Sequence, residues 1–481
     1  MSSTTGPKPA KGFFVNIGSL VSARAFLALS QIIVLPIVAR QLTIEEFALM
    51  ALAMTVVIFT QVLSDAGLGR SLIRAMDYDL EEWSTVFWLL VAVGLGLALI
   101  VIAVAPLWAA FFDQPRLTGI LFALAIVPLC QALSAAPNAE IERRENYIGI
   151  AKVQMITTVV SLGLAVLLAL AGAGVWALVA QQLALAIIRL AGIIWLSQFR
   201  PLFTFNPARI GRHLVFARDA IIVSLIGAAR GQAAVVAIGK ILGEGALGLF
   251  SMSERFSRMP QYGLAGPAST VVYVRMAKAQ TDLERLVQIY LASLRLLAAI
   301  LFPILAMIAV GGGAIFTVFL SETWAEVAPV FALSITGLAI EAVSLVCIAS
   351  LFRAVGRTEL QVRLAFEGAL LRVGLVVGAA FFSLEAVAAS LTIWGILLVP
   401  RGWQLAQKVV PLNMVDCCKA LIVPVAVSAV FVALHAILRA SYQPGNWAES
   451  GIAIALSLLA LGTTALIDRK NLRAAVQFFK S

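Results

Sequence analysis

Long apolar runs separated by short polar connections dominate the chain. Fourteen runs can be drawn, at approximately residues 13–39, 44–64, 84–111, 117–136, 148–171, 174–196, 213–238, 246–272, 286–310, 327–352, 363–382, 385–402, 415–438 and 447–466. A helix rises about 1.5 Å per residue, so about 20 residues cross a hydrocarbon core of about 30 Å. The pattern predicts an all-α polytopic membrane protein of about 14 transmembrane helices. The longest connections, near 65–83 and 197–212, leave no room for a separate soluble domain. No small-residue cleavage site follows the first run, so it reads as a retained helix.

Composition agrees with this reading. Of 481 residues 61% are hydrophobic and only 12% charged, against about a quarter charged in soluble domains. The formal charge of +10 could point to nucleic acid or to a membrane, and its distribution decides. With the N-terminus in the cytoplasm, twenty-two loop cations fall on the inner side. Only Arg40, Arg116, Lys240 and Arg439 fall outside. This bias predicts an even span number with both termini cytoplasmic, and it excludes a nucleic-acid partner. Trp83, Trp108, Trp176, Trp324 and Trp447 lie at span ends, as an interfacial belt would place them. Cys130 and Cys347 lie in spans, and Cys417 and Cys418 are adjacent in a loop. That spacing matches neither a disulfide framework nor a zinc site.

A weak repeat at an offset of 200 relates VARQLTIEEFALMALA around Arg40 to AIGKILGEGALGLFSM around Lys240. Each has a span end, a cation, a short acidic turn and a new span. Repeats of six spans predict two bundles around a central cavity. The expected division is a cytoplasmic tail at 1–12, an N-lobe at 13–210, a C-lobe at 211–410, and a last helix pair with a cytoplasmic tail at 411–481.

Charges inside the spans are the candidate chemistry, because a mid-bilayer cation costs about 2.5–3.5 kcal/mol on insertion scales. Arg24 sits near the middle of the first run, ahead of Pro36. Arg230, Arg255, Arg258, Arg295 and Arg372 join it, while Arg189 and Arg218 can snorkel to an interface. Arg255 and Arg258 are three apart and share a helix face. The intramembrane acids are Asp219, Glu254, Glu341 and Glu367. Glu254 can reach an arginine on another helix, and Arg363 with Glu367 can pair at i,i+4. Six deep cations against four acids predict a cationic cavity. Arginine suits phosphate because its planar fork donates two hydrogen bonds and stays charged. Glu341 and Glu367 are candidate coupling sites for H+ or Na+. Asn16 and Gln31, the latter seven residues after Arg24, are candidate sugar contacts. GxxxxGK[ST] is absent, so no ATP drives the chain directly. The two histidines, His213 and His435, are far apart, and outer loops are too short for catalytic residues. The chain therefore reads as no enzyme, with no cofactor and no metal.

Four stretches carry a resemblance: SDAGLGRSLIRAM (64–76), GAGVWALVAQQL (172–183), LGLFSMSERFSRMPQYGLAGPASTVVYVRMA (247–277) and TWAEVAPVFALSI (323–335). Together, across about residues 10–410, they resemble bacterial polysaccharide repeat-unit flippases. That family is the polysaccharide-transport branch of the multidrug/oligosaccharidyl-lipid/polysaccharide exporter superfamily. The resemblance implies two six-helix lobes around a central cavity plus two C-terminal helices. It implies flipping of undecaprenyl-diphosphate-linked oligosaccharide across the bacterial inner membrane by alternating access, for surface or exopolysaccharide assembly. It makes Arg24, Arg255 and Arg258 candidate diphosphate ligands, and Arg70 and Arg74 candidate entrance or gate residues; the other deep cations, Arg295, Arg372 and Arg230, join the candidate ligands by their position inside the spans. Membrane lipid, and a polysaccharide polymerase and co-polymerase, are the implied partners. The alternative is a multidrug or organic-cation antiporter of the same superfamily, which should carry deep acids rather than deep arginines.

Overall fold

The structure is a computed structural model. It describes Phe26, Ser30, Gln31 and residues 33–480, apart from 66–67, 75–77, 208–209 and 261–264. Among the described residues every element is helical. Among those residues, ten helices or helix pairs are long and apolar enough to cross a membrane. Leu99, Leu107, Leu167 and Ile437 are more than 60% exposed on them. Such outward side chains suit a lipid solvent and would be costly in water. The chain is a multi-pass membrane protein. The expected runs 213–238 and 363–382 also coincide with helices, less apolar ones that carry intramembrane charges. The run 246–272 is divided between two shorter helices.

The chain forms two compact units, Met1–Ala229 and Arg230–Ser481. The first contains α1 (Ile44–Asp65), α2 (Leu68–Arg74), α3 (Leu80–Phe111), α4 (Arg116–Leu124), α5 (Ile126–Arg143), α6 (Tyr147–Leu170), α7 (Val175–Leu196) and most of α8 (Gly211–Ile241). Helix α1 begins with a capping box. Thr43 N–H donates to Glu46 Oε2 at 3.0 Å, and Glu46 N–H donates back to Thr43 Oγ1 at 3.3 Å. The other oxygen of Glu46 accepts from Val175 N–H at 3.2 Å. One carboxylate thus ties the starts of α1 and α7. Gly174 permits this: its φ is +57°, and a Cβ there would strike Glu46 Oε1.

A second anchor is Glu140, buried at 6% exposure. Its Oε2 accepts from Ser197 Oγ at 2.9 Å, Gln198 N–H at 3.2 Å and Arg144 Nη2 at 2.9 Å. Beyond it the connection lies on α3, with Leu202 N–H donating to Ser84 Oγ and Asn206 N–H to Thr85 Oγ1. Trp83 is fully buried in a core with Leu68, Leu72, Leu90 and Phe199. Trp324 is also fully buried, whereas Trp176 and Trp447 are exposed. The interfacial-belt reading therefore fails for Trp83 and Trp324. Each lies where a connection folds back on a helix end, so the indole packs against protein.

The second unit holds α9 (Gly243–Pro260), α10 (Gly266–Lys278), α11 (Leu283–Val310), α12 (Gly312–Phe319), α13 (Val327–Ile340), α14 (Val346–Ala354), α15 (Thr358–Ala380), α16 (Leu384–Ala406), α17 (Met414–Tyr442), α18 (Asn446–Ile467) and α19 (Arg469–Lys480). The last helix pair packs on α11, so it belongs to this unit. Cys417 and Cys418 lie in the first turn of α17, not in a loop; Cys417 is buried and Cys418 exposed. Between α13 and α14 a π-helical turn spans Glu341–Leu345. Such turns are uncommon and frequent at functional sites. Here Ser344 of the turn shares a 3.1 Å hydrogen bond with Tyr290, whose hydroxyl accepts from Trp403 Nε1 at 2.8 Å. This buried, satisfied triad holds the turn against α11 and α16.

Candidate anion site

Two glycines set the site. At the crossing of α13 and α16, a Cβ on Gly395 would lie 2.9 Å from the Gly337 carbonyl oxygen, and one on Gly337 would meet the Leu391 carbonyl. Thr392 Oγ1 accepts from Gly337 N–H at 3.1 Å and donates to the Leu333 carbonyl at 2.5 Å. Small residues and hydroxyls of this kind let membrane helices approach closely. Glu341 lies one turn after Gly337, and Trp394 adjoins Gly395. The close crossing therefore brings a carboxylate and an indole to one place.

Three guanidiniums converge there. Arg230 of α8 meets Glu341 at 3.2 Å. Arg258 meets Glu254, both on α9, at 2.6 Å. Arg372 of α15 lies between the acids, 3.5 Å from Glu254 and 4.0 Å from Glu341. Arg372 and Arg230 both stack over Trp394, at 5.2 Å and 5.7 Å from its ring. Trp394 is fixed by donating Nε1–H to the Gly368 carbonyl at 2.8 Å. The side chain of Arg372 is 2% exposed, and its Nε has no hydrogen-bond partner. Arg230 and Arg258 keep 34% and 28% of their side-chain surface. The cluster thus has a buried cationic floor and an accessible rim. Three guanidiniums face two carboxylates, a formal charge of +1.

Two other expected residues, Arg295 and Glu367, are paired away from this cluster. Arg295 is paired with Asp468 at 3.2 Å, joining α11 to the end of α18. Arg255 is exposed on α9. Glu367 is held by Arg363 Nε at 2.8 Å and by both Nε and Nη2 of Arg401, at 2.8 and 3.0 Å. Gln31 is helical and exposed. Arg24 and Asn16, and the side chains of Arg70 and Arg74, lie outside the described residues. Sequence reasoning missed Trp394 and the π-helical turn. An aromatic in an apolar run carries no signal until an arginine is seen over it.

The first unit has a polar cavity of about 330 Å³ between α2, α5 and α7. Gln131, Ser134, Asn138 and Glu142 line it from one face of α5, and Arg189 faces them from α7. Asn138 Nδ2 donates to Glu142 Oε1 at 2.6 Å. The spacing of three to four residues was readable, but not its facing of Arg189, 47 positions after Glu142.

Comparisons with known proteins agree with this architecture. Residues 37–329 match the family model described as polysaccharide biosynthesis protein. The succinoglycan biosynthesis transport protein ExoT of Rhizobium meliloti (strain 1021) is 28% identical over 325 residues, covering 67% of this chain and 66% of that protein. The teichuronic acid biosynthesis protein TuaB of Bacillus subtilis (strain 168) is 23% identical, covering 65% of each. The chain thus spans just under two thirds of the length of these relatives. Among solved structures, the lipid II flippase MurJ in an inward closed conformation aligns with a TM-score of 0.76 at 13% identity. That alignment covers 95% of this chain and 99% of the other. An inward-facing multidrug resistance MATE family transporter gives 0.60 at 17% identity, covering 81% and 94%.

Proposed function

We propose, since the chain belongs to the polysaccharide biosynthesis protein family, that it flips undecaprenyl-diphosphate-linked oligosaccharide across the bacterial inner membrane. Both termini are then cytoplasmic, as the distribution of loop cations predicts. The observation that carries this reading is the arginine cluster on Trp394, with more guanidiniums than carboxylates in membrane helices. A diphosphate-linked sugar cannot cross hydrocarbon unaided, because its charges and hydroxyls would lose their hydration. Guanidinium forks replace that hydration for the phosphates.

The two glutamates give the site a means of release. Glu341 and the diphosphate compete for Arg230 and Arg372, and Glu254 competes for Arg258. Anion binding displaces carboxylates rather than filling a bare cationic hole, so affinity stays moderate. Glu341, held between Arg230 and Arg372, is the residue through which a coupling ion, H+ or Na+, would act in alternating access. The polar cavity of α2, α5 and α7 suits sugar hydroxyls, since it offers amide, hydroxyl, carboxylate and guanidinium groups together.

The multidrug antiporter reading rests on the shared fold. It calls for carboxylates open to a cationic drug, whereas Glu254 and Glu341 are each already held by arginine. The test is transport of a labelled lipid-linked repeat into inverted vesicles. The wild type should protect the label, and Arg372→Met with Arg230→Gln should lose protection. Deletion of the gene should abolish surface polysaccharide and leave precursor inside. Uptake of organic cations without movement of the lipid-linked repeat would sink the proposal.

A further inference from the structure

The end of the last membrane helix carries charge that the cluster above does not use. Helix α18 has 22 residues, about 33 Å of rise, enough to cross the hydrocarbon core. Its last residues, Leu466 and Ile467, are 73% and 64% exposed, as acyl chains would require. Helix α19 starts two residues later, at the level of the lipid headgroups. Its sequence RKNLRAAVQFFK is strongly amphipathic. Ala475 is buried, while Arg469, Lys470 and Arg473 are exposed. Among the described residues no carboxylate pairs with these three cations.

The local chemistry disfavours them unless something outside supplies negative charge. The first turn of α19 has no acidic residue. Two cations at a helix N-terminus oppose the helix dipole. The acid that immediately precedes the helix, Asp468, is 4% exposed and committed elsewhere. It pairs with Arg295 at 3.2 Å and accepts from Asn471 Nδ2 at 2.6 Å. That pairing also fixes the corner between α18 and α19 against α11. Beside the corner is an open groove of about 530 Å³, lined by Ala465, Arg469, Leu472, Arg473, Val476 and Gln477. Arg469 and Arg473 are one turn apart, and so are Leu472 and Val476 beside them. The groove therefore presents a two-guanidinium rim to a phosphate and an apolar wall to the first methylenes of a chain.

We propose that this groove binds the headgroup of an anionic phospholipid of the surrounding leaflet, with Arg469 and Arg473 on the phosphate and Leu472 and Val476 against the acyl chain. The site is separate from the Arg230–Arg258–Arg372 cluster and serves to dock the second unit on its membrane surface. Charge complementarity and placement directly after a membrane span select lipid over an acidic protein segment.

The purified full chain in detergent is titrated with dioleoylphosphatidylglycerol or dioleoylphosphatidylcholine, reading bound lipid by native mass spectrometry and melting temperature by intrinsic fluorescence. Phosphatidylglycerol should bind and raise the melting temperature, and phosphatidylcholine should do so far less. R469Q/R473Q should weaken phosphatidylglycerol binding roughly 25-fold, about fivefold per arginine. R469K/R473K should keep most of it. R473Q alone leaves the helix start intact and should show the fivefold loss if the double variant is poorly folded. Unchanged phosphatidylglycerol affinity in R473Q and the double variant would overturn the proposal and leave the face to an acidic protein. So would equal binding of the two lipids, or a full melting shift from inorganic phosphate alone.

Discussion

Replacing Glu341 by Gln tests whether the arginines and glutamates form one electrostatic unit. Glu341 is 4.0 Å from Arg372 and 3.2 Å from Arg230. At an effective dielectric of about 20, a unit pair 4 Å apart is worth about 4 kcal/mol. The Arg230 contact is discounted, because that side chain is 34% exposed and water replaces part of what is lost. Removing one partner of a buried pair costs about 3–5 kcal/mol. E341Q raises the cluster from +1 to +2 and should cost about 3 kcal/mol. R372M removes a 2% exposed guanidinium whose Nε is unsatisfied. It relieves that desolvation while losing its attractions, and should cost about 1 kcal/mol. E341Q/R372M returns the charge to +1 and should cost well below the sum, with a coupling of about 2 kcal/mol. At roughly 2–4 °C per kcal/mol for a unit of this size, the double variant, about 1 kcal/mol less destabilised, should melt about 2–4 °C above E341Q. Melting of detergent-solubilised protein, followed by fluorescence-detected gel filtration, reads the difference. Costs that add within about 0.5 kcal/mol would refute the shared cluster.

Gly395→Val should disrupt the α13–α16 crossing. Its Cβ would sit 2.9 Å from a carbonyl oxygen, overpacking that costs about 1–3 kcal/mol, and both yield and lipid-linked transport should fall. Glu140→Ala leaves Ser197, Gln198 N–H and Arg144 without their acceptor. At about 1.5–3 kcal/mol per hydrogen bond to a charged group, it should cost about 3 kcal/mol. Limited proteolysis should then cut within residues 197–207 faster than in the wild type, and equal rates would count against the anchor. Burial, and then the Glu140 carboxylate, push the Tyr78 phenol above its ordinary value. A raised phenol favours the folded state below the ordinary tyrosine value near 10, and that contribution disappears as pH rises through the folded value. The ultraviolet difference titration of wild type against Tyr78→Phe should show one phenol ionising above the ordinary tyrosine value of about 10.

Hydropathy by itself determined that the chain crosses a membrane many times, because satisfying a backbone in lipid leaves helices as the answer to an apolar run. It also located the pairs that one helix makes alone. Arg363 and Glu367, four apart, pair as their spacing requires, and the excess of deep arginines over acids was countable. The three arginines of the cluster lie on α8, α9 and α15, none of which is among the ten candidate membrane spans of the described residues.

Only the tertiary structure decided which charges meet. Arg230, Glu341 and Arg372 lie on three helices far apart in sequence, and nothing local distinguishes them from Arg295, which pairs with Asp468 instead. Their meeting depends on the face each helix turns inward, on the Gly337–Gly395 approach and on the extra residue of the π-helical turn. The same reason explains the tryptophans. Position at a span end is a one-dimensional property, whereas burial of Trp83 depends on where the 197–207 connection folds back. A one-dimensional pattern can say that a charge lies in the membrane. Its partner is set by the three-dimensional packing of helices that the pattern leaves unordered.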